Sequence, residues 1–156
     1  MTLDQQIQPS ESSALRESAA EDFEAYYGRL FGWSVKRQGS RPFLVLENGI
    51  CAVTVPRLSA GPVLDGLAAT GCEGPAFVIP SRLGPRVAML AETDGLVPPR
   101  AALPKDVEVI AGGALLPLPI GARRPDVALE WLTVPDPRQR WLPSLGAVLA
   151  GIHARF

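Results

Sequence analysis

Asp106 and Glu108 stand two residues apart in the strand-like run KDVEVI. Alternation along a strand places both carboxylates on one face, where with added ligands they could hold one divalent cation. The ordinary alternative is a solvated edge strand whose charges discourage aggregation, and no second acidic cluster accompanies the pair. Arg82 and Arg86 flank a Gly-Pro turn, and Arg123 with Arg124 occupy another. If the two loops lie together they form a local basic surface for phosphates, but Asp94, Asp126 and Glu130 are near enough in sequence to pair with them. His153 is the only histidine, close to the chain end on a helical stretch. With no identifiable Ser, Cys or Asp partner it reads as helix-end decoration rather than a general base. Cys51 and Cys72 have no CxxC spacing, and Cys51 lies in an apolar strand, where a thiol behaves as a small hydrophobe.

The elements that must position these groups are organised around residues 47–67. Ile50 to Val55 is a β-rich run stopping at Pro56; a Gly/Ser-containing turn follows, then a helix from about Pro62 to Ala69 carrying Val63, Leu64 and Leu67. The strand end offers no Asp, Glu, His or Lys to a metal or phosphate. Upstream, Met1 to about Ser13 is polar and is expected to be a flexible tail. Residues 14–156 are expected to form one domain. An amphipathic helix is predicted over Ala14 to Phe31, then short strands at Trp33–Val35 and Phe43–Leu46 around a turn from Lys36 to Pro42. Ala76–Ile79 and Arg86–Leu90 read as a strand pair across Pro80–Pro85. Leu96 to Pro104, with prolines at 98, 99 and 104, reads as a surface loop. Val107–Ile110 and Ala114–Leu118 are predicted to form a hairpin around Gly112-Gly113. Leu129–Val134 is a further strand, and Pro143, Leu145, Val148, Leu149 and Ile152 mark a closing helix. The loops 122–126 and 135–140 are expected to be exposed. The expected class is α+β, a mixed and mostly antiparallel sheet flanked by helices.

Composition narrows the function. The formal net charge is −1, with 20% charged and 47% hydrophobic residues, so no global basic field draws the chain to nucleic acid or an anionic bilayer. No apolar run approaches ~18 residues and the first residues lack a basic-then-apolar leader, so a cytoplasmic location without membrane contact is expected. Lysine occurs only at 36 and 105 while Arg, Ala, Gly and Pro abound, a bias that suits a high-GC bacterial genome. Trp33, Trp131 and Trp141 could stack on bases but sit in apolar segments, where large aromatics usually build core.

From about Phe23 to Ile152 the chain resembles the bifunctional primase/polymerase (prim-pol) domain of the archaeo-eukaryotic primase superfamily, especially its short, degenerate bacterial relatives. FGWSV (31–35) is similar to the family's opening helix and Gly-Trp-x-Val strand. AVTVPRLSAG (52–61) resembles its aspartate-x-aspartate-proline strand, and RLGPRVAML (82–90) the strand carrying its catalytic histidine. VEVIAGGALLPLP (107–119) resembles the segment with the third acid, and Trp131 with WLPSLGAVLAGI (141–152) the closing strand and helix. The resemblance implies a prim-pol/RRM-like core. It also implies that the two metal-binding aspartates fall on Val53 and Val55, the histidine on Val87, and the third acid on Glu108 or the adjacent Asp106.

Valine cannot hold the cations of two-metal nucleotidyl transfer. The expected function is therefore a non-catalytic prim-pol-like binding or regulatory domain with no catalytic residue, metal or cofactor. Its expected partner is a protein or a second copy, with weak nucleic-acid binding through Arg82, Arg86, Arg123 and Arg124. The competing expectation is a nucleic-acid-dependent nucleotidyltransferase with a rearranged metal site. Val53, Val55 and Val87 are further expected to form an apolar contact surface where the active-site face would open, unless the tail, the Leu96–Pro104 loop or simple core infilling covers them.

Overall fold

In the computed structural model, residues 27–29, 31–39, 41–119, 131–133, 135–136, 138–139 and 141–156 are described here. The tail 1–13, Arg123, Arg124 and nearly all of the helix expected over 14–31 lie outside them; residues 27–29 and 31 are helical. The architecture is α+β, with two antiparallel sheets flanked by helices.

Strands β1 (Val35–Gln38) and β2 (Arg41–Val45) form a tighter hairpin than expected, because Gly39 takes a φ of 64° and lets the ladder run through Lys36 and Pro42. Strand β3 (Ile50–Pro56) leads directly into helix α1 (Arg57–Ala69). The turn expected before Pro62 is instead the helix's first turn. Pro62 lies inside the helix on an exposed face, while Ala60, Val63 and Leu67 bury the opposite stripe. The helix ends in a Schellman motif: Gly71, at φ 73°, donates its N–H to Ala68 O, and Cys72 donates to Leu67 O at 2.9 Å.

Strands β4 (Ala76–Ile79) and β5 (Arg86–Glu92) form the expected antiparallel pair across the Pro80–Pro85 turn. The Leu96–Pro104 stretch is irregular apart from a 3-10 turn at Arg100–Ala102. Strands β6 (Glu108–Ile110), β7 (Leu115–Pro117) and β8 (Trp131–Thr133) precede helix α2 (Leu145–His153). The Ser144 side chain caps α2 by accepting from Ala147 N at 3.1 Å.

The larger sheet has the order β6-β3-β5-β4-β8 and the smaller the order β1-β2-β7. β3 and β4 both run antiparallel to β5 and are joined through α1, a split β-α-β arrangement. The expected hairpin between β6 and β7 does not form. β6 pairs with β3 and β7 with β2, in different sheets. Leu46 N–H donates to Ala114 O and Gly113 N–H to Leu46 O, which carries the pairing across the gap. The chain thus contains one long antiparallel ribbon, β2–β3 against β6–β7, bent where it passes from one sheet to the other. Asn48, Gly49, Gly112 and Gly113, all at φ between 56° and 85°, make the bend. The diglycine supplies left-handed backbone as the hairpin reading required, but it turns a corner instead of reversing the chain.

Alternation on the central strands separates two cores. Cys51, Val53, Val55, Val87, Met89, Ala91, Ala76 and Val78 face α1 and α2, meeting Ala60, Val63, Leu67, Leu145, Val148 and Ile152. Ala52, Ala88, Leu90, Phe77 and Ile79 face the smaller sheet and meet Leu44, Leu46, Leu116 and Leu118. Because the central strands are covered on both faces, they read as continuous apolar runs. Among the described residues no helix is long and apolar enough to cross a membrane.

Candidate functional site

Val55, Arg82, Arg86, Val87, Asp106 and Glu108 lie toward one end of the larger sheet, where β3 finishes and β5 and β6 begin, whereas Arg123 and Arg124 lie outside the described residues. Val53, Val55 and Val87 are all fully buried. The expectation of an open apolar surface at these positions is overturned. Odd-numbered residues of β3 and β5 face the helices, and α1, starting immediately after Pro56, folds back over them with α2 beside it. The Leu96–Pro104 loop contributes only Leu103, at the margin of this cluster.

Glu108 opposes Thr54 in the β3–β6 ladder and is half exposed, with Arg100 Nη2 3.3 Å from its Oε1. Asp106 does not share a strand face with it. The strand begins at Glu108, and Asp106 sits in the preceding turn at φ 68°, which breaks the alternation. Among the described residues no three His, Cys, Asp or Glu side chains converge as metal ligands. His153 is exposed in the last turn of α2.

Arg86 and Arg82 separate into different roles. Arg86 is half-buried, and its guanidinium is tied inward: Nε donates to Thr54 Oγ1 at 3.2 Å, and Nη2 to Thr54 O at 2.9 Å and to Asp106 O at 2.6 Å. Thr54 is the one buried polar residue among those described. Its hydroxyl on the sheet face looking toward the smaller sheet would lack a partner without this arginine. Arg86 therefore clamps β3, β5 and the turn before β6. Arg82 is exposed on the β4–β5 turn, beside Leu83.

The sequence reading missed what surrounds Arg82. Arg57 N–H donates to Pro85 O at 3.0 Å, so the first turn of α1 lies against the β4–β5 turn. Leu58 and Leu83 there are 99% and 96% exposed. The available signal was the repeated Arg-Leu dipeptide, 57–58 and 82–83, at two element junctions.

The aromatic residues divide as well. Trp33 is buried and stacks on Tyr27 and Phe31, with ring centroids 5.4 and 4.8 Å apart. Trp131 meets Phe77 edge-on at 5.0 Å, while Trp141 is largely exposed. Cys51 is buried, its Sγ 3.5 Å from Ala91 O, and burial pushes its thiol up to about 11. Both cysteines are free.

Scans against family models, curated proteins and solved structures find no match to this chain.

Proposed function

We propose that the chain is a non-catalytic binding or regulatory domain of prim-pol-like descent, acting through its surface. The observation that carries this is the identity and burial of three side chains. The positions that the resemblance gives to the metal-binding aspartates and the histidine hold Val53, Val55 and Val87, and these fill the core beneath two helices. A face so filled has neither the ligands for two cations nor the opening for a primer end and a triphosphate. Of the acids at the motif positions, Glu108 pairs with Arg100 at the surface, and Asp106 sits in the turn before β6, so the two carboxylates do not line one strand face. An RRM-like core finds support in the order β6-β3-β5-β4 with its split β-α-β crossover. The span from β5 to β6 departs from that pattern, having a 3-10 turn where a second helix would lie.

Primer synthesis and extension assays with Mg²⁺ or Mn²⁺ test the reading. No product is expected; metal-dependent product abolished by Glu108→Ala would establish a nucleotidyltransferase with a rearranged site. Nucleic acid, if it is the partner, meets Arg82 and the Arg123/Arg124 loop. Binding followed by fluorescence anisotropy should then be weak and fall steeply with added salt, with a logarithmic slope of about −0.7 to −0.9 per phosphate contact. Tight, salt-insensitive binding to one defined sequence contradicts it.

A further inference from the structure

The two ends of the larger sheet have opposite character. At the β3 carboxyl end, Leu58 and Leu83 project almost completely into solvent, each directly preceded by an arginine. Lys105 is exposed on the neighbouring turn, whose Asp106 carbonyl is held by Arg86. Arg57, Arg82 and Lys105 are exposed there, beside Asp106 and the Glu108–Arg100 ion pair. Residues so exposed on a first helical turn and a hairpin tip form knobs, not a groove.

The other end, where β3 starts and β5 finishes, bears two adjoining grooves that share Thr93 and Asp94. One, of about 980 Å³, has Leu46, Ile50, Val97 and Val109 on its walls with Glu47 and Asp94. The second, of about 600 Å³, has Leu96, Leu142, Leu145 and Leu149 with Glu92 and Asp94. Neither has an Arg, Lys or His among its described lining residues. The two ends are separated by the seven residues of β3, about 23 Å of strand.

From this complementarity we propose that the Leu58/Leu83 end of one copy docks into the acidic grooves of a second copy, head to tail. The apolar knobs enter apolar walls, and Arg82 comes against Glu47, Glu92 and Asp94. A contact between two different patches is heterologous, so it closes into a ring or continues as a filament and does not stop at a symmetric pair. The inference rests on the binding reading only through Arg82. Association does not depend on whether the chain also transfers nucleotides or touches phosphate.

The test uses two variants of the full chain in size-exclusion chromatography with light scattering. Leu58→Ser with Leu83→Ser removes the knobs, and Glu47→Arg with Glu92→Arg reverses the groove charge. All four side chains are exposed, so thermal melts should match the wild type. Wild type is expected to exceed the 16.6 kDa of one chain, increasingly with concentration and less so at high salt. Each variant alone should remain at one chain's mass. An equimolar mixture should form a one-to-one complex and stop there, since one partner retains knobs and the other grooves. Arg82→Glu should weaken assembly of the wild-type background without touching a leucine. A wild type that stays monomeric at every concentration overturns the proposal. So does a mixture that fails to complement while wild type associates, which is the behaviour of a symmetric interface. Retained nucleic-acid binding by the leucine variant would separate failure of this contact from failure of the binding reading.

Discussion

Burying a carboxylate at position 55 would strand a charge beneath two helices, on the sheet face opposite the Arg86 guanidinium, at a cost of several kcal/mol against the roughly 5–15 kcal/mol that holds a domain folded. Val55→Asp should therefore lower the melting temperature by about 6–20 °C, taking about 3–5 kcal/mol at about 2–4 °C per kcal/mol for a chain of this size. Leu58→Asp, three residues on and fully exposed, should leave the melt where it is. Arg86 predicts a milder loss. Arg86→Met keeps much of the packing but leaves the Thr54 hydroxyl and the Asp106 carbonyl without a donor, so the urea midpoint should fall by an amount worth about 1–3 kcal/mol at unchanged slope. Lysine should restore only part, because one ammonium cannot reproduce the fork that reaches both partners. Cys51 adds a pH signature. Its thiol ionises near 9.0 in the unfolded chain and at about 11 when buried, so the folded state holds a proton that the unfolded state has released between those values. Its effect on stability is absent below pH 9 and grows unfavourable as pH rises through that window. Subtracting the unfolding curve of Cys51→Ala should isolate a decline on the order of 2–3 kcal/mol.

At the scale of elements, two glycines in one helix make opposite predictions. A methyl group at Gly151 would lie 2.6 Å from Leu67 Cδ2, where α2 crosses α1, whereas one at Gly146 meets nothing within 4 Å. Gly151→Ala should destabilise by about 1–3 kcal/mol through overpacking, and Leu67→Ala should remove most of that penalty when combined with it. Gly146→Ala should stabilise by up to about 1 kcal/mol through helix propensity alone. Chemical denaturation of these four variants beside the wild type checks both signs. The elements also show where local reading succeeds. The runs 50–55, 76–79 and 86–90 are dense in apolar and β-branched residues and bounded by Pro or Gly, so each declares itself within its own few residues. The start of α1 did not, because Pro62 is a strong local stop signal and only burial of Ala60 against the sheet shows that the helix already exists before it. The role of Arg86 was equally hidden, since its partners lie 32 and 20 residues away and its sequence neighbours suggest only a basic turn.

For the molecule as a whole, the pairing of β6 with β3 and β7 with β2 was beyond any local signal, although both strands and the diglycine between them were visible. Two apolar runs around Gly-Gly describe a hairpin and a bent ribbon equally well, and the choice falls to partners more than fifty residues upstream. The exposed end with its two leucines was likewise invisible until Arg57 and Pro85 were brought together. The bent ribbon has a consequence for how the protein breathes. Since the same two chain segments supply strands to both sheets, neither layer can open as an independent foldon: peeling β7 from β2 pulls on Leu46 and Gly113, which anchor the start of β3 and the end of β6. Native-state hydrogen exchange should accordingly show the amides of Leu44, Leu46, Ala52 and Leu116 protected with similar opening free energies, converging on the global value. A pair of sheets joined only by flexible loops would instead release the smaller sheet first, and exchange of its amides ahead of those of β3 would mean that the corner behaves as a hinge.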